Sequence, residues 1–187
     1  MCKWLLQRNA VAIFLWISLL DNRIQKRSWG IYCKEVMNMQ PCRLPCAVAC
    51  VSGGREEPQL KGIVRFSQHC GGVLVSAEVT GLPRDGFYAF HIHEGNNCKG
   101  ENFDESGSHY NPTGNTHPDH AGDLPPLLSC QGKAKMSVLT GRFRVDEIIG
   151  KTVIIHSNRD DFHSQPLGNP GEKIACGIIC RVTHKKA

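Results

Sequence analysis

Residues 88–95 read Tyr-Ala-Phe-His-Ile-His-Glu-Gly, and this stretch decides the fold class and points to a site. Aromatic and β-branched residues mixed through Tyr88–His93 are the composition of a strand, in which alternate side chains share one face. His91 and His93 therefore point the same way. Further along come His109, His117, His120, Asp123 and His156, so that six of the nine histidines and one aspartate form one constellation, all but the last within 33 residues. Neutral imidazoles suit copper and zinc, and a single carboxylate among them suits zinc. A lone histidine on a strand is usually an ordinary surface or core residue, but seven positions in one ordered pattern are not explained that way. The polar stretch 113–126, TGNTHPDHAGDLPP, is too rich in Asn, Gly and Pro for a helix interior or a long strand and reads as an ordered loop. A loop so poor in apolar residues needs something to hold it, and a metal ion is the natural candidate.

Outward from this stretch the chain reads as short strands joined by turns: 47–52, 62–68, 73–80, 87–93, 133–139, 152–156 and 174–182. Glycine and proline punctuate them, as in GLPRDG and GNPG. After residue 36 no helical periodicity of useful length occurs, although VDEIIG (145–150) suits a single turn. Seven or eight strands at this spacing predict an all-β fold, an antiparallel sandwich or flattened barrel, with two long loops, 94–131 and 157–172, carrying the site.

The runs FHIHEG, GSHYNP, HPDHAGD, VIIHSNRDD and GNPGEKIACG resemble the Cu/Zn superoxide dismutase family in order and spacing, over roughly residues 62–182. The cysteine five residues after the second histidine, Cys98, resembles the bacterial branch. The resemblance implies a Greek-key β-sandwich and a copper ion held by His91, His93, His109 and His156. It also implies a zinc ion held by His109, His117, His120 and Asp123, with the His109 imidazole bridging the two. Asp160 matches an aspartate that hydrogen-bonds one copper ligand and one zinc ligand, here His91 and His117, and such carboxylates fix the tautomer and orientation of the rings they touch. Cys98 and Cys176 match the family's disulfide. The implied reaction converts superoxide to dioxygen and hydrogen peroxide, with copper changing valence, zinc holding the loop, and His109 carrying a proton. The chain departs from the family at Lys173, where an arginine usually stands beside the copper. Lysine keeps the positive charge and the implied catalytic part in drawing an anion to the site, but it lacks the planar five-donor fork. A copper-delivery protein or a non-catalytic copper- and zinc-binding protein of the same fold is the alternative. The first should show a Cys-x-x-Cys or Cys-x-Cys carrier, which is missing here, and the second should lack a metal ligand, whereas none is missing.

With 187 residues, 41% hydrophobic and 21% charged, the composition suits one globular domain with a real core. The formal charge of +5 is concentrated at the start. Residues 1–36 hold six Lys or Arg against two Asp or Glu, which leaves 16 against 15 in residues 37–187. No basic excess remains there to bind nucleic acid through counterion release. Residues 1–36 differ in kind from the rest, with all three tryptophans and an apolar run from Ala10 to Leu20 behind Lys3 and Arg8. They outline a signal peptide or short anchor, or an upstream start ahead of Met37, and the run is too short for a stable membrane span. The domain reading is therefore an extension, 1–36, and a metal-binding domain, 37–187. Setting aside Cys98 and Cys176 leaves eight of ten cysteines, more unpaired thiols than exported proteins usually carry, which favours a cytoplasmic location unless 1–36 is a genuine signal or anchor. Cys42, Cys46 and Cys50 are read as plain buried thiols rather than a metal tract, and Cys70, Cys130 and Cys180 as structural or incidental. A small-molecule substrate, superoxide, is the expected partner; a homodimer is compatible with the sequence but marked by no motif.

Overall fold

The computed structural model describes residues 45–183. Eight strands occur in chain order: β1 (Pro45–Gly53), β2 (Lys61–His69), β3 (Gly72–Thr80), β4 (Gly86–His93), β5 (Asp123–Cys130), β6 (Lys133–Thr140), β7 (Thr152–His156) and β8 (Lys173–Arg181). A single helical turn, α1 (Val145–Ile148), precedes β7, as the VDEIIG segment suggests. The strands close into a barrel in the order β1-β2-β3-β6-β5-β4-β7-β8, with β8 returning to β1, and every pairing is antiparallel. The sequence-predicted all-β sandwich or flattened barrel is thus a barrel closed in strand order, with its shortest seam between β5 and β6.

One strand was illegible. β5 spans Asp123–Cys130, inside the stretch read as loop, because two prolines interrupt a short apolar run. Pairing to β4 joins Leu124 to Phe90 and Leu127 to Tyr88, with a register shift between Tyr88 and Phe90. Pairing to β6 engages only Ser129 and Cys130. Pro125 and Pro126 fall at the irregularity, where a missing N–H breaks no ladder bond. The long 94–131 loop therefore ends at Gly122.

Period-2 alternation separates core from site. On β4, Tyr88, Phe90 and Ile92 enter the apolar core with Phe66, Leu127, Val153, Ile155 and Ile179. His91 and His93 project from the opposite face and are nevertheless fully buried, because the two long loops cover them. Across the ladder His91 stands opposite Ile154 and His93 opposite Thr152, which sets His156, two residues beyond Ile154, on the same outer face. A register shift at Ile155/His156 against β8 pairs His156 with Lys173. Bulges of this kind re-aim side chains at the ends of ladders.

The thiol reading needs correction. Cys50 is exposed, on the outward face of β1, and Cys70, Cys130 and Cys180 are exposed too, while Cys42 lies outside the described residues. Strand alternation turns Ala47, Ala49 and Val51 inward, and so sends Cys50 out. Cys98 and Cys176 form a disulfide that ties the loop after β4 to β8.

Candidate metal centre

Two groups of four side chains meet on the outer wall of the barrel beneath the loops, and each group brings its donor atoms within 4.8 Å of one another. The first is His91, His93, His109 and His156; the second is His109, His117, His120 and Asp123. All seven residues are buried. His109 is placed by the loop, which runs beside β4 and forms a bridge with His93.

For four of the rings, hydrogen bonds on the side away from the centre decide which nitrogen faces it. His93 Nδ1 donates to the Gly107 carbonyl at 2.8 Å, and His156 Nδ1 to that of Gly171 at 3.3 Å. Their Nε2 atoms are then bare lone pairs, 3.3 Å apart in a buried site. His91 Nε2 is held by Asp160 Oδ2 at 2.8 Å, which leaves its Nδ1 buried without a hydrogen-bond partner. His117 repeats this arrangement: Nε2 sits 2.8 Å from Asp160 Oδ1, and Nδ1 has no hydrogen bond although Asp123 Oδ2 is 3.0 Å away. His109 turns Nδ1 toward Asp123 Oδ1 at 2.8 Å and toward His120 Nδ1 at 3.4 Å, while its buried Nε2 has no partner.

Buried lone pairs facing one another are costly unless a cation lies between them. Two donors each about 2.0–2.1 Å from one tetrahedral ion stand roughly 3.3–3.4 Å apart. The nitrogen pairs at 3.3 and 3.4 Å match that spacing, so the residues fit a pair of metal ions sharing the His109 imidazole. One set is all imidazole and the other adds a carboxylate, donors that suit copper and zinc respectively.

Without metal, His93, His109 and His156 resist protonation. Burial, followed by the repulsion that protonated His109 and His156 would exert, holds His93 well below the usual imidazole range. Burial drives His156 down to about 3 and His109 down to about 4, the latter against the raising effect of its hydrogen bond to Asp123. Burial pushes the two carboxylates up, but hydrogen bonds prevail in both. Asp123 is lowered by His109, and Asp160 falls to about 2 through His91, the Phe162 amide and His117. His93, His109, His156 and Asp123 thus favour the deprotonated state in which a ligand binds metal.

Lys173 is placed differently from a freely offered cation. Its ammonium, half-buried, contacts Ser106 Oγ at 3.0 Å, the Gly107 carbonyl at 3.0 Å and the Phe103 carbonyl at 3.5 Å. Burial lowers its pKa, partly offset by Asp104. The Gly107 carbonyl accepts from both Lys173 and His93, so the lysine pins the loop that orients a ligand of the first group. Sequence reading missed this carbonyl and that of Gly171, since main-chain acceptors carry no residue signature. It also missed Gly168, at positive φ, where any Cβ would overlap Asp160 and His117.

Fold and site together define an antiparallel β-barrel protein with a paired, histidine-rich metal centre on its outer wall. The family profile "Copper/zinc superoxide dismutase (SODC)" matches residues 60–179. The chain is 34% identical over 138 residues to Cu-Zn superoxide dismutase 2 of Aquifex aeolicus, covering 66% of this chain and 81% of that one. It is 35% identical over 131 residues to the Cu-Zn superoxide dismutase of Legionella pneumophila, covering 66% and 80%. In fold it matches the crystal structure of a SOD-like protein from Bacillus subtilis, with a TM-score of 0.61, 24% identity, and coverage of 70% of this chain and 96% of that one. The chain belongs to the copper/zinc superoxide dismutase family.

Proposed function

We propose that this protein is a copper- and zinc-dependent superoxide dismutase, which converts two superoxide anions and two protons to dioxygen and hydrogen peroxide. The observation that carries the reading is His109, which is common to both donor groups and has Nδ1 beside Asp123 and a buried Nε2 left without a hydrogen-bond partner. We assign His91, His93, His109 and His156 to copper and His109, His117, His120 and Asp123 to zinc. When bound, copper supplies one-electron redox chemistry and zinc, which lacks it, supplies structure.

The chain's own residues supply the rest. Asp160 fixes one ring of each group at the distal nitrogen, so that the ligating nitrogens carry no proton. His109 Nε2, buried and without another partner, is an atom that can hold a proton, and burial makes the ring surrender it readily. The Lys173 charge favours entry of an anion, while its hydrogen bonds are spent on the loop. That engagement is the observation favouring the second reading, a metal-binding protein of this fold without turnover.

Cyanide-sensitive dismutation measured with metal content decides between them. Activity at one copper and one zinc per chain supports the enzyme, and both metals bound without activity supports the alternative. His109→Ala should lose most activity and the coupling between the metals, and full retention would sink the bridging assignment. We further propose that residues 37–187 are the functional domain, to be tested by comparing this piece with the full chain. Four exposed thiols among the described residues, Cys50, Cys70, Cys130 and Cys180, support a cytoplasmic location. Alkylation of these cysteines in protein taken directly from cells checks it.

A further inference from the structure

The segment carrying His117, His120 and Asp123 packs few apolar side chains, and two side chains from elsewhere in the fold grip its backbone at the ligands themselves. Arg142, in the turn between β6 and α1, directs Nη1 at three carbonyls: Pro118 at 2.9 Å, Asp123 at 3.1 Å and His120 at 3.2 Å. Its Nη2 reaches Asp119 Oδ1 at 3.5 Å. Gln165, in the loop after β7, forms a two-way amide pair with His117. The His117 N–H donates to Gln165 Oε1 at 3.0 Å, and Gln165 Nε2 donates to the His117 carbonyl at 2.7 Å.

We propose that Arg142 and Gln165 are positioning residues that build the zinc half of the centre before the metal arrives. The inference rests on the assignment of His117, His120 and Asp123 to zinc. Its physical basis is convergence. Three peptide dipoles present their negative ends to one point, and a guanidinium, planar and always charged, satisfies several at once. Arg142 is itself held, because its N–H donates to Thr140 Oγ1 at 3.3 Å and the adjacent Phe143 is buried. Gln165 lies in the same loop as Asp160, so one segment holds His117 by its backbone and by its ring. A free loop would lose conformational entropy on binding zinc, whereas a clamped loop has already lost it.

The test measures Zn(II) affinity of the full, metal-free chain by chelator competition at one equivalent of zinc, then Cu(II) affinity of the zinc-loaded protein. Arg142→Met and Gln165→Leu should each weaken zinc by roughly 10–100-fold, the range for groups that support ligands, with copper affinity changed far less. Arg142→Lys, which keeps the charge but not the fork, should fall between. Arg65→Met, which removes an arginine paired with Glu78 on the exposed barrel surface, should match wild type. Zinc affinity within twofold of wild type in both Arg142→Met and Gln165→Leu overturns the proposal, as does an equal loss of zinc and copper. If Arg142→Met does not fold, wild-type zinc affinity in both Arg142→Lys and Gln165→Leu overturns it. His117→Ala separates the two levels: unchanged zinc binding there sinks the ligand assignment, whereas a loss there but not in the clamp variants sinks only the clamps.

Discussion

Replacing Asp160 by asparagine should weaken the two metals unequally, and the hydrogen bonds fix which one suffers. Oδ1 of Asp160 accepts from the Phe162 amide at 2.7 Å and from His117 Nε2 at 2.8 Å, whereas Oδ2 accepts only from His91 Nε2, at 2.8 Å. An asparagine side chain has one oxygen and one NH2. Placing the NH2 at the Oδ1 position sets it against two donors, and placing it at the Oδ2 position sets it against one. Each buried unsatisfied donor costs about 1–3 kcal/mol, so the second orientation wins. The NH2 then donates to His91 Nε2, and the His91 proton must move to Nδ1, the nitrogen that faces the copper group. Copper affinity should fall by about 10–100-fold, or about 1.4–2.7 kcal/mol, with a smaller change for zinc. Asp160→Ala, which abandons both rings, should weaken both metals. Chelator competition for Cu(II) and Zn(II) on one preparation reads these constants. A zinc loss larger than the copper loss in Asp160→Asn would refute the reasoning, as would unaltered copper affinity in Asp160→Ala.

The metal-free protein should be acid-sensitive in a defined window. His109 and His156 titrate near 4 and 3 when folded but near 6.5 when unfolded, so the unfolded chain takes up protons first as pH falls. Their stabilisation is complete above about pH 6.5 and is lost on acidification at up to about 1.4 kcal/mol per pH unit for each ring, ending near their folded values. Asp160, lowered to about 2, adds a loss in the same direction below its ordinary range. Urea midpoints between pH 7.5 and 4 that do not move would contradict this account. Opening the Cys98–Cys176 bond, 78 residues apart in sequence, by a Cys98→Ser, Cys176→Ser double substitution should cost about 4.5 kcal/mol in the chain-entropy account, and a loss below about 1 kcal/mol in urea unfolding would argue against it. Lys173→Met should lower the dismutation rate and flatten its decline with ionic strength, with Lys173→Arg retaining that decline; an unaltered salt profile in the methionine variant rules out steering by this charge.

Strands rich in alternating apolar residues were legible because burial on one face imposes a period of two, which holds for β2, β3 and β6 almost to the residue. β5 was hidden because its prolines obey the β4/β5 register shift, and a shift in register is a property of two strands. Cys50 was misread for a related reason: the direction of the barrel interior decides which half of an alternating run is inside.

The same division runs through the site. Donor chemistry is local, so the residue types and order of His91, His93, His109, His117, His120, Asp123 and His156 already specified copper- and zinc-type ligands. The family's motifs pointed to Asp160 and the disulfide as well. Tertiary structure alone decided which nitrogen of His91, His93, His117 and His156 is free, because the partners that settle it are Gly107, Gly171 and Asp160, brought in from distant loops. It alone revealed that Lys173 spends its hydrogen bonds on the loop and that Arg142 and Gln165 hold the ligand backbone. A sequence records which side chains can bind a metal, whereas the main-chain carbonyls and long-range hydrogen bonds that orient them have no residue signature and exist only once the barrel has closed.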